Sequence, residues 1–151
     1  MTPDDMAALH AAAFIDERSW SAAEFTDILK NDYVQAFTQP HGFALTSTAG
    51  GDTELLMLAV HPDQRRRGIA RALSLQWLNG VRDRADIAFL EVAADNLPAL
   101  ALYTDLGFGI TGRRVAYYAR KTGPTVDALI MQQALPFGQG PDSTPFPPES
   151  S

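Results

Sequence analysis

Apolar residues in the first part of the chain recur at the spacing of a helix and then change to the pattern of strands. Residues 4–14 carry apolar side chains every three or four positions, which predicts a first helix. Ser21 and Glu24 have the spacing of a capping box, so a second helix is predicted to begin there. Residues 33–38 and 43–47 predict two short strands separated by a Pro-His-Gly turn.

The middle of the chain predicts strands that alternate with helices. Residues 54–60 form a continuous apolar run typical of a central strand covered on both faces, and Pro62 ends it. Residues 87–92 form a second buried run, and Asn96 and Gly107 mark the start and end of the next helix. Between the two runs, a helix is predicted from near Gly68, with Ile69, Leu73, Leu75 and Trp77 as its apolar positions. This order predicts a parallel strand pair with a right-handed crossover.

The last third predicts two more strands and then a tail. The strands are expected at 109–114 and 127–133. Residues 136–151 are rich in Pro, Gly and Ser, and are predicted to form a mobile segment outside the domain. Hairpin-like strands thus lie on either side of the parallel pair. The predicted fold is α/β (α+β), a single domain at 1–135 with a central mixed sheet and helices on both faces.

Composition restricts the class of function. The chain has 151 residues, 46% of them hydrophobic and 20% charged, which is typical of a globular domain. It has no cysteine, which excludes a disulfide framework, a zinc-thiolate site and a thiol nucleophile. No secretory signal or membrane span is recognised, so a cytoplasmic protein is expected. The net charge of −6 argues against a nucleic-acid partner.

Arginines are concentrated within this acidic chain. Arg65, Arg66, Arg67 and Arg71 surround Gly68 at the predicted start of a helix. Unpaired backbone N–H groups and the helix dipole make such a start a binding site for anions, and a glycine lets a phosphate come close. A pyrophosphate is the ligand that this arrangement suits. A solvated helix start remains the alternative, and a second basic cluster, Arg113, Arg114, Arg120 and Lys121, has the same two interpretations.

Two other phosphate-binding motifs are excluded by spacing. The chain lacks the Gly-x-x-x-x-Gly-Lys sequence of a Walker loop. It also lacks the Gly-x-Gly-x-x-Gly fingerprint of dinucleotide-binding folds. The three histidines, His10, His41 and His61, have no spacing that indicates a metal site.

The chain resembles the GNAT superfamily of N-acetyltransferases over about residues 54–131. The similarity lies in 58–73, which contains Gln64-Arg65-x-x-Gly68-x-Ala70, and in 89–108, which contains Leu90-Glu91-Val92, Asn96, Tyr103 and Leu106-Gly107-Phe108. The segment with Arg113-Arg114, Tyr117-Tyr118 and 127–131 is similar to the RimI-like members, which acetylate the N-terminal alanine of a small-subunit ribosomal protein. The resemblance implies a GNAT fold whose mostly antiparallel sheet has its parallel pair at the acyl-CoA site.

The resemblance also implies a role for individual residues, with acetyl-CoA as cosubstrate and no metal. Glu91 would be the general base, and Tyr103 the acid that protonates the leaving thiolate. The acyl-CoA site would consist of Leu58, Ala59, Val60, Arg65, Arg66, Arg67, Gly68, Ile69, Ala70, Asn96 and Tyr103. Tyr117 and Tyr118 would line the groove for the acceptor, a peptide or protein N-terminus such as that of a small-subunit ribosomal protein, and no nucleic acid or membrane would be bound.

Each of these residues also has a purely structural interpretation. Glu91 could be a strand-end carboxylate paired with a nearby arginine, and Tyr103 could be a core tyrosine. Asn96 could cap a helix, and strand packing could explain Tyr117 or Tyr118. Three functions stay open: acetylation of a protein N-terminus, acetylation of a lysine or small amine, and acyl-CoA binding without catalysis.

The sequence departs from the family pattern in two places. Members of the family open with a strand before the first helix, and here that strand is expected to be short or absent. RimI-like sequences have an acidic pair before the alanine of the last strand, and here the pair is Val126-Asp127.

Overall fold

The computed structural model describes residues 1–120 and 123–135. Within them the chain forms four α-helices, one 3₁₀ turn and six strands, and every predicted helix and strand is present. The elements are α1 (Pro3–Ala13), α2 (Ala22–Leu29), β1 (Val34–Gln39), β2 (Gly42–Ala49), β3 (Asp52–Val60), the 3₁₀ turn (Pro62–Gln64), α3 (Ile69–Val81), β4 (Ile87–Ala93), α4 (Leu97–Asp105), β5 (Gly109–Tyr118) and β6 (Val126–Ala134). The predicted tail at 136–151 and Lys121 lie outside the described residues.

The six strands form one mixed sheet in the order β1-β2-β3-β4-β6-β5. The pairs β1–β2, β2–β3, β4–β6 and β5–β6 are antiparallel, whereas β3 and β4 are parallel. Helix α3 connects the two parallel strands, as the alternation of strand and helix predicted. The predicted fold class is therefore confirmed.

Two hydrophobic cores cover opposite faces of the sheet. Strand β2 supplies both, because Phe43 and Leu45 pack with α1 and α2 while Ala44 packs with α3. The core beneath α3 and α4 is centred on Trp77, which is fully buried and donates from Nε1 to Thr53 Oγ1 at 2.8 Å. This hydrogen bond holds α3 against β3, the strand that precedes it.

Side-chain caps fix where the helices begin. The Ser21–Glu24 capping box of α2 is present as predicted, and Asn96 caps α4 through a bond from the Ala99 N–H to Oδ1. A second capping box, Thr2 with Asp5, starts α1, and the helical spacing alone did not indicate it. Capping bonds are local in sequence, so they set helix ends without help from tertiary contacts.

Two apolar positions are more exposed than the sequence pattern predicted. Leu75, one of the apolar positions of α3, is 41% exposed, whereas Leu73 and Trp77 are fully buried. Strand β3 is also not buried throughout, because Leu56 is 38% exposed where the strand bulges. An apolar pattern does not identify such positions, because single apolar side chains are common on protein surfaces.

Candidate active site

The parallel strands β3 and β4 pair over only part of their length. Their register runs from Asp52 beside Ile87 to Leu55 beside Leu90, and stops there. Beyond that point β3 stays paired with β2 as far as Val60, and β4 stays paired with β6 through Ala93. The carboxyl ends of the two strands therefore separate within the described sheet. The opening between them exposes backbone groups of both strands to a ligand.

A bulge in β3 explains the separation. Opposite β2, Met57 pairs with Leu45 and Leu55 pairs with Thr46, so Leu56 is an extra residue in the strand. A bulge bends a strand and increases its twist. Residues Leu58, Ala59 and Val60 follow the bulge, on the side of the opening where an extended ligand could bond to the backbone.

The chain from His61 to Gly68 joins β3 to the first turn of α3. Two of its residues have positive φ, Arg66 at 65° and Gly68 at 78°. Gly68 is the N-cap of α3 and offers no side-chain cap, and the first helical bond runs from the Ala72 N–H to the Gly68 carbonyl. The N–H groups of Ile69, Ala70 and Arg71 therefore remain available to an anion at the positive end of the helix dipole.

The arginines of this loop have different partners. Arg65 Nη2 donates to the Ala13 carbonyl at 3.1 Å, which ties the loop to the end of α1. Arg71 is paired with Asp105 at the end of α4. Arg66 and Arg67 are exposed, and no ion pair joins them to any residue in the described part of the chain. Three arginines were expected at the pyrophosphate. Arg66 and Arg67 have no ion-pair partner among the described residues, whereas the Arg65 side chain is bonded to the end of α1.

Helix α4 supplies two of the expected site residues. Asn96 uses its Oδ1 for the cap, which leaves its amide N–H groups for a ligand. Tyr103 is 6% exposed and its ring packs edge-on against Phe108 with centroids 5.9 Å apart. Burial raises the pKa of Tyr103, so the hydroxyl stays protonated at physiological pH.

The Tyr103 hydroxyl has no hydrogen-bond partner among the described residues. Across residues 1–120 and 123–135, every side-chain oxygen or nitrogen that is completely buried has a hydrogen-bond partner. The hydrogen bonds of these residues do not include the Tyr103 hydroxyl, so the oxygen must be accessible although its ring is buried. A core tyrosine would bond its hydroxyl to the protein. The geometry therefore leaves this hydroxyl for a ligand.

Glu91 lies on the other face of the sheet. Its neighbours Leu90 and Val92 belong to the core under α3 and α4, so Glu91 points toward the face that α1 and α2 cover. Its side chain is 22% exposed, and Oε1 lies 3.2 Å from Arg114 Nη2. The structural interpretation of Glu91, pairing with a nearby arginine, is thus realised.

The end of β5 departs from regular pairing. The register is irregular between Arg114 and Tyr118, and Ala116 has a φ of 52°. The Ala116 N–H donates to Asp127 Oδ1 at 2.7 Å, while Asp127 Oδ2 accepts from Arg113 at 2.6 Å. Both hydrogen bonds hold the pKa of Asp127 below its usual value, so its carboxylate stays charged and pins the bulge.

The irregular end of β5 places Tyr117 and Tyr118 in the wall of a cavity of about 420 Å³. The opposite wall is the segment between α1 and α2, including Asp16, Glu17 and Trp20. Burial, assisted by the negative charges of Glu91 and Glu17, raises the pKa of Tyr118 to about 12. Tyr118 therefore lies within electrostatic reach of both the predicted base and the loop between the first two helices.

Several features of the site were missed by sequence reasoning. The α1–α2 segment was not assigned to it, and Arg114 was not recognised as the partner of Glu91. The second basic cluster is not a set of free cations, because each of its described arginines has an acidic partner. The pairs are Arg113–Asp127, Arg114–Glu91 and Arg120–Asp95. Partners this far apart in sequence leave no local pattern.

Residues 1–120 and 123–135 contain neither a metal-binding cluster nor a helix that could span a membrane. No group of three or more His, Asp or Glu side chains is arranged to hold a metal ion. None of the helices found there has the length and apolar character needed to cross a membrane.

Comparison with known proteins gives consistent matches. Residues 6–108 match the acetyltransferase (GNAT) family. The [ribosomal protein bS18]-alanine N-acetyltransferase of Escherichia coli (strain K12) is 36% identical over 138 residues, which cover 85% of this chain and 90% of that protein. N-alpha-acetyltransferase RimI of Mycobacterium tuberculosis (strain ATCC 25618 / H37Rv) is 33% identical over 136 residues, covering 84% of this chain and 83% of the relative.

A solved structure agrees with these matches. The crystal structure of the ribosomal-protein-S18-alanine N-acetyltransferase from Escherichia coli superposes with a TM-score of 0.81 and 28% sequence identity. The superposition covers 94% of this chain and 92% of that one.

Proposed function

The chain belongs to the GNAT family and is an acetyl-CoA-dependent N-acetyltransferase, and we propose that its acceptor is the α-amine of a protein N-terminus, specifically an N-terminal alanine of a ribosomal protein. The observation that carries this proposal is the opening between β3 and β4, with Glu91 on one face of the sheet and Tyr103 on the other. A donor and an acceptor that approach from opposite faces would meet there. The similarity to alanine N-acetyltransferases over most of the chain supports the choice of acceptor.

The acetyl-CoA side of the site consists of β3, the loop after it and α3. We propose that the amides of the pantetheine arm bond to the backbone of Leu58, Ala59 and Val60 where β3 has no β4 partner. The pyrophosphate would bind the first N–H groups of α3 beyond Gly68, and the exposed Arg66 and Arg67 would add positive charge. Asn96 would donate an amide N–H to the arm while its oxygen caps α4.

The acceptor side needs only a modest base if the nucleophile is an α-amine. A peptide α-amine has a pKa of about 8 and a lysine of about 10.4, so at about pH 7.5 roughly a quarter of α-amines are neutral, against about one lysine in 800. Glu91 is the proposed proton acceptor, directly or through water, and Arg114 holds its carboxylate in place.

Bond formation and proton transfer then balance. The neutral amine attacks the thioester carbonyl, an N–C bond forms and the C–S bond breaks. Tyr103 is the proposed donor of a proton to the leaving sulfur, and the nitrogen passes its excess proton to the Glu91 carboxylate. That proton then replaces the one lost by Tyr103, through solvent, so both side chains return to their starting states. The products are the acetylated amine and free CoA.

The cavity between Tyr117, Tyr118 and the α1–α2 segment is the proposed binding site for the peptide that follows the acceptor amine. Its lining is aromatic and of mixed charge, which suits the ring and backbone contacts of an extended peptide; it consists of Asp16, Glu17, Arg18, Trp20, Tyr117, Tyr118, Ala119 and Arg120. We also propose a cytoplasmic location, because the proposed acceptor is a ribosomal protein.

The experiment is release of CoA from acetyl-CoA with three acceptors: an Ala-initiated peptide, its N-blocked version with an internal lysine, and spermidine. Turnover on the free Ala terminus alone is expected. Turnover on lysine or spermidine would keep the enzyme class and overturn the proposed acceptor. A protein that binds acetyl-CoA tightly but releases no CoA with any of them would contradict the proposal and favour acyl-CoA binding without catalysis.

A further inference from the structure

A second carboxylate, Glu54, borders the place where β3 and β4 separate. Glu54 lies beside Phe89 in the parallel register, so Glu91 is two residues further along the neighbouring strand. Thr53 and Leu55 face the core under α3, and Glu54 therefore points to the opposite face, as Glu91 does. Strands about 5 Å apart place two such side chains in diagonal contact range.

Three charged side chains thus cross one face of the sheet. They are Glu54 of β3, Glu91 of β4 and Arg114 of β5, and the neighbour of Glu54 on β2 is the uncharged Ser47. Burial raises the pKa of Glu54, the charge of Glu91 raises it further, and Arg114 opposes both effects. Glu54 is thus electrostatically coupled to the residue proposed as base and to that residue's ion-pair partner.

The fold itself gives Glu54 no evident structural role. Arg114 is ion-paired with Glu91, and the ion pairs and hydrogen bonds within residues 1–120 and 123–135 do not include Glu54. A half-buried carboxylate on a central strand costs stability unless it is paired. Because burial and the neighbouring negative charge raise its pKa, Glu54 holds a proton to a higher pH than an ordinary glutamate does.

We propose that Glu54 is a second proton-accepting carboxylate of the acetyl transfer, working beside Glu91 where the β3–β4 pairing ends. The reaction requires groups that accept more than one proton from the acceptor nitrogen. An acceptor that arrives as an ammonium ion loses two protons, one before it attacks the thioester and one after the N–C bond forms. One of these replaces the proton that Tyr103 gives to the leaving sulfur, and the other passes through the two carboxylates to water. The inference rests on the proposed function, which supplies the α-ammonium acceptor.

The first test is independent of turnover. Side-chain carboxyl NMR of protein labelled with ¹³C-glutamate, with Glu54 assigned from E54Q, should show Glu54 titrating above the usual value of about 4.3. E91Q should move that titration to lower pH, because it removes the like charge. D52N, which removes an exposed carboxylate from the same strand, is the matched control and should leave it in place. A Glu54 pKa near the usual value of about 4.3 that does not change in E91Q would show that Glu54 and Glu91 are not coupled, and would overturn the proposal.

The second test is the pH profile of kcat with the Ala-initiated peptide. E54Q should lower kcat about tenfold near pH 6.5, and the loss should shrink as the pH passes the α-amine pKa of about 8, where the amine is already neutral. E54D should restore part of the activity, and the KM for acetyl-CoA should not change in either variant. D52N should match the unmodified protein.

The outcomes separate this inference from the proposed function. An E54Q enzyme with normal kcat at every pH, or with a loss that is the same at every pH, would overturn Glu54 as a proton acceptor. An unmodified protein that does not acetylate the peptide would contradict the proposed acceptor instead, and the NMR titration would still decide whether the carboxylate pair exists.

Discussion

Arg114 and Glu91 face each other across the strand that separates them. Nη2 of Arg114 on β5 lies 3.2 Å from Oε1 of Glu91 on β4, so the guanidinium reaches over β6. The path is clear because Arg114 is level with Ala128 of β6, a small residue. The same guanidinium lies 5.2 Å from the centre of the Tyr117 ring. Arg114 therefore connects the proposed base to the wall of the acceptor cavity.

Replacing Arg114 should affect catalysis more than stability. R114Q leaves Glu91 without the partner that orients it, so kcat should fall about tenfold, which corresponds to about 1.4 kcal/mol. The free energy of unfolding should change by less than about 1 kcal/mol, because half-exposed ion pairs contribute little. Steady-state kinetics and urea unfolding measure the two effects. R82Q, the same charge change at the exposed end of α3, is the control, and equal kcat in the two variants would contradict the role of Arg114.

Replacing Tyr103 by Phe should remove the proton donor and keep the packing. The ring stays against Phe108 and the lost hydroxyl has no described protein partner, so kcat should fall about a hundredfold. Affinity for acetyl-CoA, measured by calorimetry, should stay within about twofold of the original, which is about 0.4 kcal/mol. Y33F alters an exposed tyrosine and should behave as the unmodified protein. Unchanged turnover in Y103F would remove Tyr103 from the mechanism.

Replacing Gly68 by alanine should affect both the stability of the fold and acetyl-CoA binding, and a second glycine variant separates the two effects. An added Cβ at Gly68 meets no described atom, but the φ of 78° is unfavourable for alanine, so G68A should lose about 1 kcal/mol of stability. It should also weaken acetyl-CoA binding at least about tenfold, because an added Cβ at the N-cap of α3 would crowd the proposed pyrophosphate. G50A is the matched control, since Gly50 has a φ of 61° and equally open surroundings in the β2–β3 turn. Equal acetyl-CoA affinity in the two variants would contradict the proposal that the pyrophosphate binds at the start of α3.

His10 should make stability depend on pH. It is 3% exposed, its Nδ1 accepts a hydrogen bond from the backbone N–H of Trp20 at 3.3 Å, and burial lowers its pKa. The folded chain therefore keeps His10 neutral while the unfolded chain takes up a proton below about pH 6.5, so stability should fall as the pH drops through that value. Urea unfolding at about pH 7.5 and about pH 5.5 should show a smaller difference for H10Q than for the original protein. Identical differences would show that His10 does not titrate in this way.

The sequence was sufficient for those parts of the fold that depend on neighbours along the chain. The Ser21–Glu24 box, the Asn96 cap and the helix between two apolar strands are set by local spacing, and each is present. The parallel pair β3–β4 followed from the order of these elements and from the handedness of crossovers.

The features that open and line the site could not be predicted in this way. The bulge at Leu56 depends on how β3 pairs with β2, and neither strand alone indicates it. The bond from Arg65 to the Ala13 carbonyl joins residues 52 positions apart, and the cavity brings the α1–α2 segment against the end of β5. Such contacts are set by the twist and register of the whole sheet, which a linear pattern does not contain.

The most direct test of the account is to find which nitrogen receives the acetyl group. A peptide with a free N-terminal alanine and one internal lysine is incubated with the enzyme and acetyl-CoA near pH 7.5, and tandem mass spectrometry locates the added group. The account predicts acetylation of the α-nitrogen, with the lysine unmodified and with the product reduced about a hundredfold in Y103F. Acetyl on the lysine side chain, with the α-amine still free, would contradict it.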